Sequence, residues 1–229
     1  MDVSLSRRVL SLRSSGFYLL VGTFVLTALL IGTFMLGFKL WQIGTFVFLA
    51  WCPLVFYVMM KLYRFYGAGI SMLFLLVISQ TAHLIEHSSQ MIQIHLLGLK
   101  GAQASGIIGQ LNTEWVHLIW NSWVLLFCFV LFYWLRKNPW LYALFVFGVY
   151  HEAEHLYIIS VYLRTGISGT PGFLSKGGLF FGGVPLIRPD VHFLYAVLEE
   201  TLLIAAFVYE VRKAQAKQLA AAPRLAVAS

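Results

Sequence analysis

HLIEH at residues 83–87 and HEAEH at residues 151–155 repeat one pattern, two histidines four apart with a glutamate beside the second. On a helix, that spacing turns two imidazoles toward one ion and sets a carboxylate within reach of the same face. Glu114 with His117, and His192 with Glu199, offer two further imidazole and carboxylate pairs. All of these residues lie in long apolar stretches, where an isolated charge costs several kcal/mol and persists when it is paired or bound to an ion. Neutral histidines cannot compensate so many carboxylates, whereas a divalent or trivalent metal satisfies both residue types. Mixed imidazole and carboxylate ligation suits Fe, Mn or Zn.

Ligands of one centre must share a helix face and a depth. At 100° per residue, Gln80, His83, Glu86, His87 and Gln90 fall within about 120°, and Glu114, His117 and Asn121 within about 60°. His151, Glu154 and His155 fall within about 100°, with Glu152 at the edge of that arc, while His192 and Glu199 are nearly in line and Glu200 stands about 80° away. His95 is out of phase. The metal set expected from phase is therefore His83, Glu86, His87, Glu114, His117, His151, Glu154, His155, His192 and Glu199. Gln80, Gln90, Asn121, Glu152 and Glu200 are expected to orient those ligands from behind, or, for Glu152 and Glu200, to pair with Arg188. Asp190 follows Pro189 and reads as a helix cap.

The elements that must carry these residues are membrane spans. Of 229 residues, 60% are hydrophobic and 11% charged, and the mean hydropathy is +0.81. Such values lie outside soluble globular composition. Apolar runs near 17–37, 43–63, 69–97, 112–135, 139–163 and 190–211 predict six transmembrane helices in one membrane domain, followed by a disordered tail over 214–229. Helices 1 and 2 repeat the small-residue element GTF at 22–24, 32–34 and 44–46 and read as packing scaffold. Helices 3 to 6 hold eight of the nine acidic residues and all seven histidines. Alternating direction brings the four polar sets to one level, about 15–25 Å from the cytoplasmic boundary. The expected fold is thus all-α, with helices 3–6 forming a metal-binding four-helix bundle.

Lysine and arginine set the orientation. Eleven of the sixteen lie on the side of the termini, which predicts a plasma (inner) membrane protein with both ends cytoplasmic. The net charge of +7 is accounted for by this topology and by anionic lipid, and no basic patch interleaved with aromatics points to nucleic acid. Cys52 and Cys128 have neither disulfide nor thiolate-metal spacing. The 3–4 loop (98–111) is rich in Gly, Ala and Gln. The 5–6 loop (164–189) has seven glycines and an apolar set of Phe173, Leu174, Leu179, Phe180 and Phe181, and is expected to act as a lid.

NTEWVH at 112–117 contains one ExxH, Glu114 with His117, and HEAEH a second, Glu152 with His155. Over these few residues the chain resembles the motifs of di-iron carboxylate proteins and alternative oxidases, which implies a glutamate-bridged pair of irons in a four-helix bundle. HLIEH and HEAEH are also similar to the HxxxH box of histidine-box desaturases, although no HxxHH occurs. The motifs assign no family. The function expected is a membrane oxidoreductase or oxygenase with two transition-metal ions, Fe before Zn or Mn, acting on a lipophilic substrate with an electron donor or partner subunit. A zinc-dependent hydrolase with Glu86 or Glu154 activating water, and a proton or metal-ion transporter or respiratory-complex subunit, use the same residues differently.

Overall fold

The computed structural model describes residues 3–109 and 113–227. The chain is 80% helix, with no strand among the described residues. Six α-helices follow one another: α1 (Val3–Gly32), α2 (Leu40–Tyr66), α3 (Ala68–Met91, extended by a widened turn over Ile92–Leu96), α4 (Glu114–Leu135), α5 (Pro139–Thr165) and α6 (Arg188–Val227). Five stretches are long and apolar enough to cross a membrane: Gly16–Leu36, Leu40–Tyr66, Ala68–Leu96, Glu114–Leu135 and Arg188–Gln218. Among the six helices predicted to span, α5 matches the others in length, at 27 residues, but not in apolarity, because HEAEH lies within it.

The chain divides into two compact units, one up to Lys61 and one from Leu62 onward. In the first, the Trp51 indole Nε1 donates to Thr27 Oγ1 at 3.0 Å, and the ring of Trp51 meets that of Phe24 edge-on at 5.3 Å. Thr23 and Thr27 return their own hydroxyls to the carbonyls one turn back, so neither hydroxyl is left unpaired.

The second unit holds α3 to α6 in two layers. Leu73 and Leu76 of α3, Val124, Cys128 and Leu131 of α4, Leu141 and Leu144 of α5 and Leu203 and Ala206 of α6 form one apolar core. Along each helix the polar set occupies the other half, as the alternating directions predict. Asn138 closes the core end: Oδ1 accepts from Trp140 and Leu141 N–H at the start of α5, and Nδ2 donates to Ala206 O at 2.9 Å. With Pro139 at the first helical position, this is a strong helix start that also ties α5 to α6.

Beyond this same end, α6 continues in helix to Val227, through most of the stretch 214–229 read from sequence as a tail, whose Ala, Lys, Gln and Leu are good helix formers. Residues 228 and 229, and residues 110–112 of the 3–4 connection and the start of span 4, lie outside the described residues. The 5–6 loop folds back on itself, with Lys176 N–H on Leu186 O, Val184 N–H on Leu174 O and Phe180 N–H on Phe173 O. Its apolar residues are not all covered. Phe173 is buried and stacks on Phe180 at 4.7 Å, whereas Phe181 points fully into the surroundings with φ 55°.

Candidate metal centre

Six histidines meet in two groups of three. His83 and His87 of α3 join His117 of α4, and His151 and His155 of α5 join His192 of α6. Within each group one ring nitrogen from every residue lies within 4.8 Å of the others. His83 Nε2 and His87 Nε2 are 3.0 Å apart, and His151 Nε2 and His155 Nε2 are 3.1 Å apart. Two nitrogens on one tetrahedral ion at about 2.0–2.1 Å stand roughly 3.3 Å apart, so small ring movements bring either pair onto an ion. The groups adjoin, since the rings of His117 and His155 stack at 5.7 Å and those of His87 and His192 are 6.3 Å apart.

The outward nitrogens explain why the rings converge. Nδ1 of His87 meets Gln90 Oε1 at 3.0 Å, that of His117 meets Thr113 O at 2.9 Å, that of His151 meets Glu199 Oε1 at 2.8 Å, and that of His192 meets Arg188 O at 3.0 Å. Each of those oxygens can only accept, so each Nδ1 carries a proton and Nε2 is the nitrogen left for an ion. Metal-binding histidines are held in this way, by a carbonyl or carboxylate on the nitrogen that does not ligate. His192 Nε2 is buried with no hydrogen-bond partner, an expensive arrangement that an ion would relieve. His155 Nδ1 is also buried without one.

The carboxylates stand elsewhere, and this departs from the ligand set expected from phase. Glu86 accepts from Ile107 N–H at 3.0 Å and Ile108 N–H at 2.8 Å. Glu154 accepts from Phe173 N–H at 2.7 Å. Both motif glutamates therefore latch the loop that follows their helix, and each meets a left-handed glycine there, Gly106 with φ 85° and Gly172 with φ 78°. A Cβ on either glycine would collide with the carboxylate. Gln93 clamps Gly106 as well, exchanging two hydrogen bonds of 2.8 Å with its backbone. Glu114 forms a two-pronged ion pair with Arg188, 2.7 Å at the first contact, and also accepts from Gly169 N–H. Glu199, fully buried, orients His151 from behind.

The residues expected behind the ligands divide. Gln80 is central: its Nε2 reaches Glu199 Oε2 at 2.6 Å and His83 Nδ1 at 3.2 Å, while its Oε1 accepts from Trp120 Nε1 at 3.1 Å. Gln90 orients His87. Asn121 donates to His117 O, within its own helix. Glu152 accepts from Ser122 Oγ and Glu200 from Thr81 Oγ1, both at 2.6 Å, so neither takes Arg188. Asp190 pairs with exposed His95 at 2.7 Å and sits in the first turn of α6, which starts at Arg188. Thr113 and the loop amides were not legible as site residues; Arg188 was expected to pair with Glu152 or Glu200 and instead takes Glu114.

The α3–α4 and α5–α6 hairpins thus repeat one construction. Two histidines come from the first helix and one from the second, the latter bonded to the carbonyl four residues back, and the motif glutamate holds the intervening loop. A cavity of about 880 Å³ opens over this construction between the two loops and reaches His87, His117 and His192, so both groups contribute to its floor. The chain is a membrane-type helical protein whose paired three-histidine clusters have the geometry to hold metal. Comparison with protein-family models, curated proteins and solved structures finds no match.

Proposed function

We propose that the chain is an integral membrane metalloprotein with two adjacent ions, each on three imidazoles, that works as an oxidoreductase on a lipophilic substrate. One observation carries this: four of the six imidazoles are held by Nδ1 on oxygen acceptors, and one ring nitrogen from each histidine converges with the other two of its group. Three neutral nitrogens per ion, with no thiolate and with the nearby carboxylates engaged by loop amides, Arg188 and Gln80, suit copper, zinc or ferrous iron. They suit a carboxylate-bridged di-iron centre less well. Bound redox ions would supply electron transfer in pairs. The protein's part is to hold the rings, exclude water from below with the leucine core, and admit a reactant at the cavity.

In the same reading α5 is the sixth span. The exposed residue of HEAEH is Ala153, Glu152 is half-buried against Ser122, and His151, Glu154 and His155 are turned into the bundle at 1%, 0% and 1% exposure. Those three then meet protein rather than lipid. The excess of Lys and Arg on the side of the termini supports a cytoplasmic location for both ends. An electron donor or partner subunit completes the scheme. A zinc hydrolase has less support, because both oxygens of Glu86 and one oxygen of Glu154 are taken by backbone amides, which leaves Glu154 Oε2 as the one candidate to activate water.

Elemental analysis of the purified chain tests the proposal, with about two transition-metal ions per chain expected. Optical and EPR spectra identify a redox metal. Protein purified without chelator that holds only trace metal would remove the centre, and zinc as the only metal would remove the oxidoreductase.

A further inference from the structure

The cavity above the histidines has a charge pattern that the metal centre does not need. Lys100 from the α3–α4 loop and Lys176 from the α5–α6 loop both line it, and among the described residues neither forms an ion pair. Arg188, also on the wall, is spent on Glu114. The cavity thus carries two uncompensated positive charges, and a concave wall of low polarity concentrates their field on an incoming anion. The same wall carries apolar side chains, Ile94, Leu99, Trp115 and Ile187 among them. A volume of about 880 Å³ lies within the roughly 300–1,000 Å³ of small-molecule sites.

We infer that this cavity binds an amphiphile with an oxyanion head, a carboxylate or phosphate, which Lys100 and Lys176 hold while its apolar chain lies along Ile94, Leu99, Trp115 and Ile187. The ligand arrives at the loop end of the bundle, not between helices from the bilayer core. This defines the substrate class of the proposed centre and rests on that reading only for the ligand's fate, since its binding needs the cavity and the lysines alone.

The test uses the full chain in zwitterionic lipid discs, both as purified and after metal stripping, with metal content measured on each sample. Octanoate, octyl phosphate, octanol and inorganic phosphate are titrated, and binding is read from the fluorescence of Trp115 as the difference from Trp115→Phe. Octanoate and octyl phosphate should bind, and the double variant Lys100→Gln/Lys176→Gln should weaken both about tenfold, as expected for two solvent-bordered charge contacts. Lys137→Gln, in the turn between α4 and α5, should change nothing. Octanol binding as tightly as octanoate, or an unaffected double variant, overturns the anionic head. Inorganic phosphate binding as tightly as octyl phosphate overturns the amphiphile in favour of a free oxyanion. Lysine-dependent octanoate binding by protein that holds no metal as purified would sink the metal centre and leave this inference standing, and metal in the purified protein without such binding would do the reverse.

Discussion

Gln80 and Glu199 face each other across α3 and α6, with Gln80 Nε2 2.6 Å from Glu199 Oε2. The same amide touches His83 and the other oxygen of the same carboxylate holds His151, so one contact links the two histidine groups. The Trp120 indole, donating to Gln80 Oε1, fixes which end of the amide points at the carboxylate.

Replacing Glu199 with Gln keeps the side chain's shape but removes the charge behind His151 and sets an amide NH₂ against that of Gln80. The ion on His151, His155 and His192 should then be held about 10–100-fold more weakly, the usual effect of losing the partner of a metal-bound imidazole. Competition with a chromophoric chelator measures this. Unchanged affinity would mean that Glu199 serves packing alone.

The repeat is imperfect in a way that should separate the two ions. His87 has Gln90 three residues on to hold its Nδ1, whereas Ile158 occupies that position after His155 and leaves its Nδ1 bare. His151 has a carboxylate behind it and its counterpart His83 an amide. The Glu199-backed, fully buried group should release its ion last during a chelator titration, giving two steps. His155→Ala and His87→Ala should each lower the stoichiometry by about one ion per chain, and His95→Ala by none. Loss of both ions in either single variant would show one shared site instead of two.

The loop latches are tested through their glycines. Ala at Gly106 or Gly172 adds a Cβ against Glu86 or Glu154 and also sits in the left-handed region, whereas Ala at Gly98 (φ 66°) meets the backbone cost with nothing within 4 Å. The first two should cost about 2–4 kcal/mol and the third about 1 kcal/mol. Thermal unfolding of the purified variants compares them. Equal shifts for all three would mean that the glutamates do not hold the loops.

The histidines were legible because a helix fixes direction and depth by counting alone, and six of seven converge as their phase requires. The glutamates share the same faces, but phase cannot say what a carboxylate meets. For Glu86 and Glu154 the partner is a backbone amide some twenty residues along the chain, in loops whose path follows from left-handed glycines and not from periodicity. The same motif sets α5 apart: the run over 139–163 counts as a sixth span by length, yet HEAEH leaves it less apolar than the five helices whose composition suits a membrane.

Glu114 separates the ligand set expected from phase from the one the geometry supports. If it bound metal, Glu114→Gln would empty part of the centre; as the ion-pair partner of Arg188 it should leave about two ions per chain in place. Arg188→Met should be the more damaging change, about 2–3 kcal/mol, because it strands a buried carboxylate with only the Gly169 amide; the value sits at the low end for buried pairs because Arg188 borders the open cavity. The double variant Glu114→Gln/Arg188→Met removes both charges and should recover most of that loss. Unfolding midpoints and metal content on the three variants check this together. A drop in metal that follows Glu114→Gln and persists in the double variant would return Glu114 to the ligands, whereas recovery of stability at unchanged stoichiometry makes it the strut that joins the starts of α4 and α6.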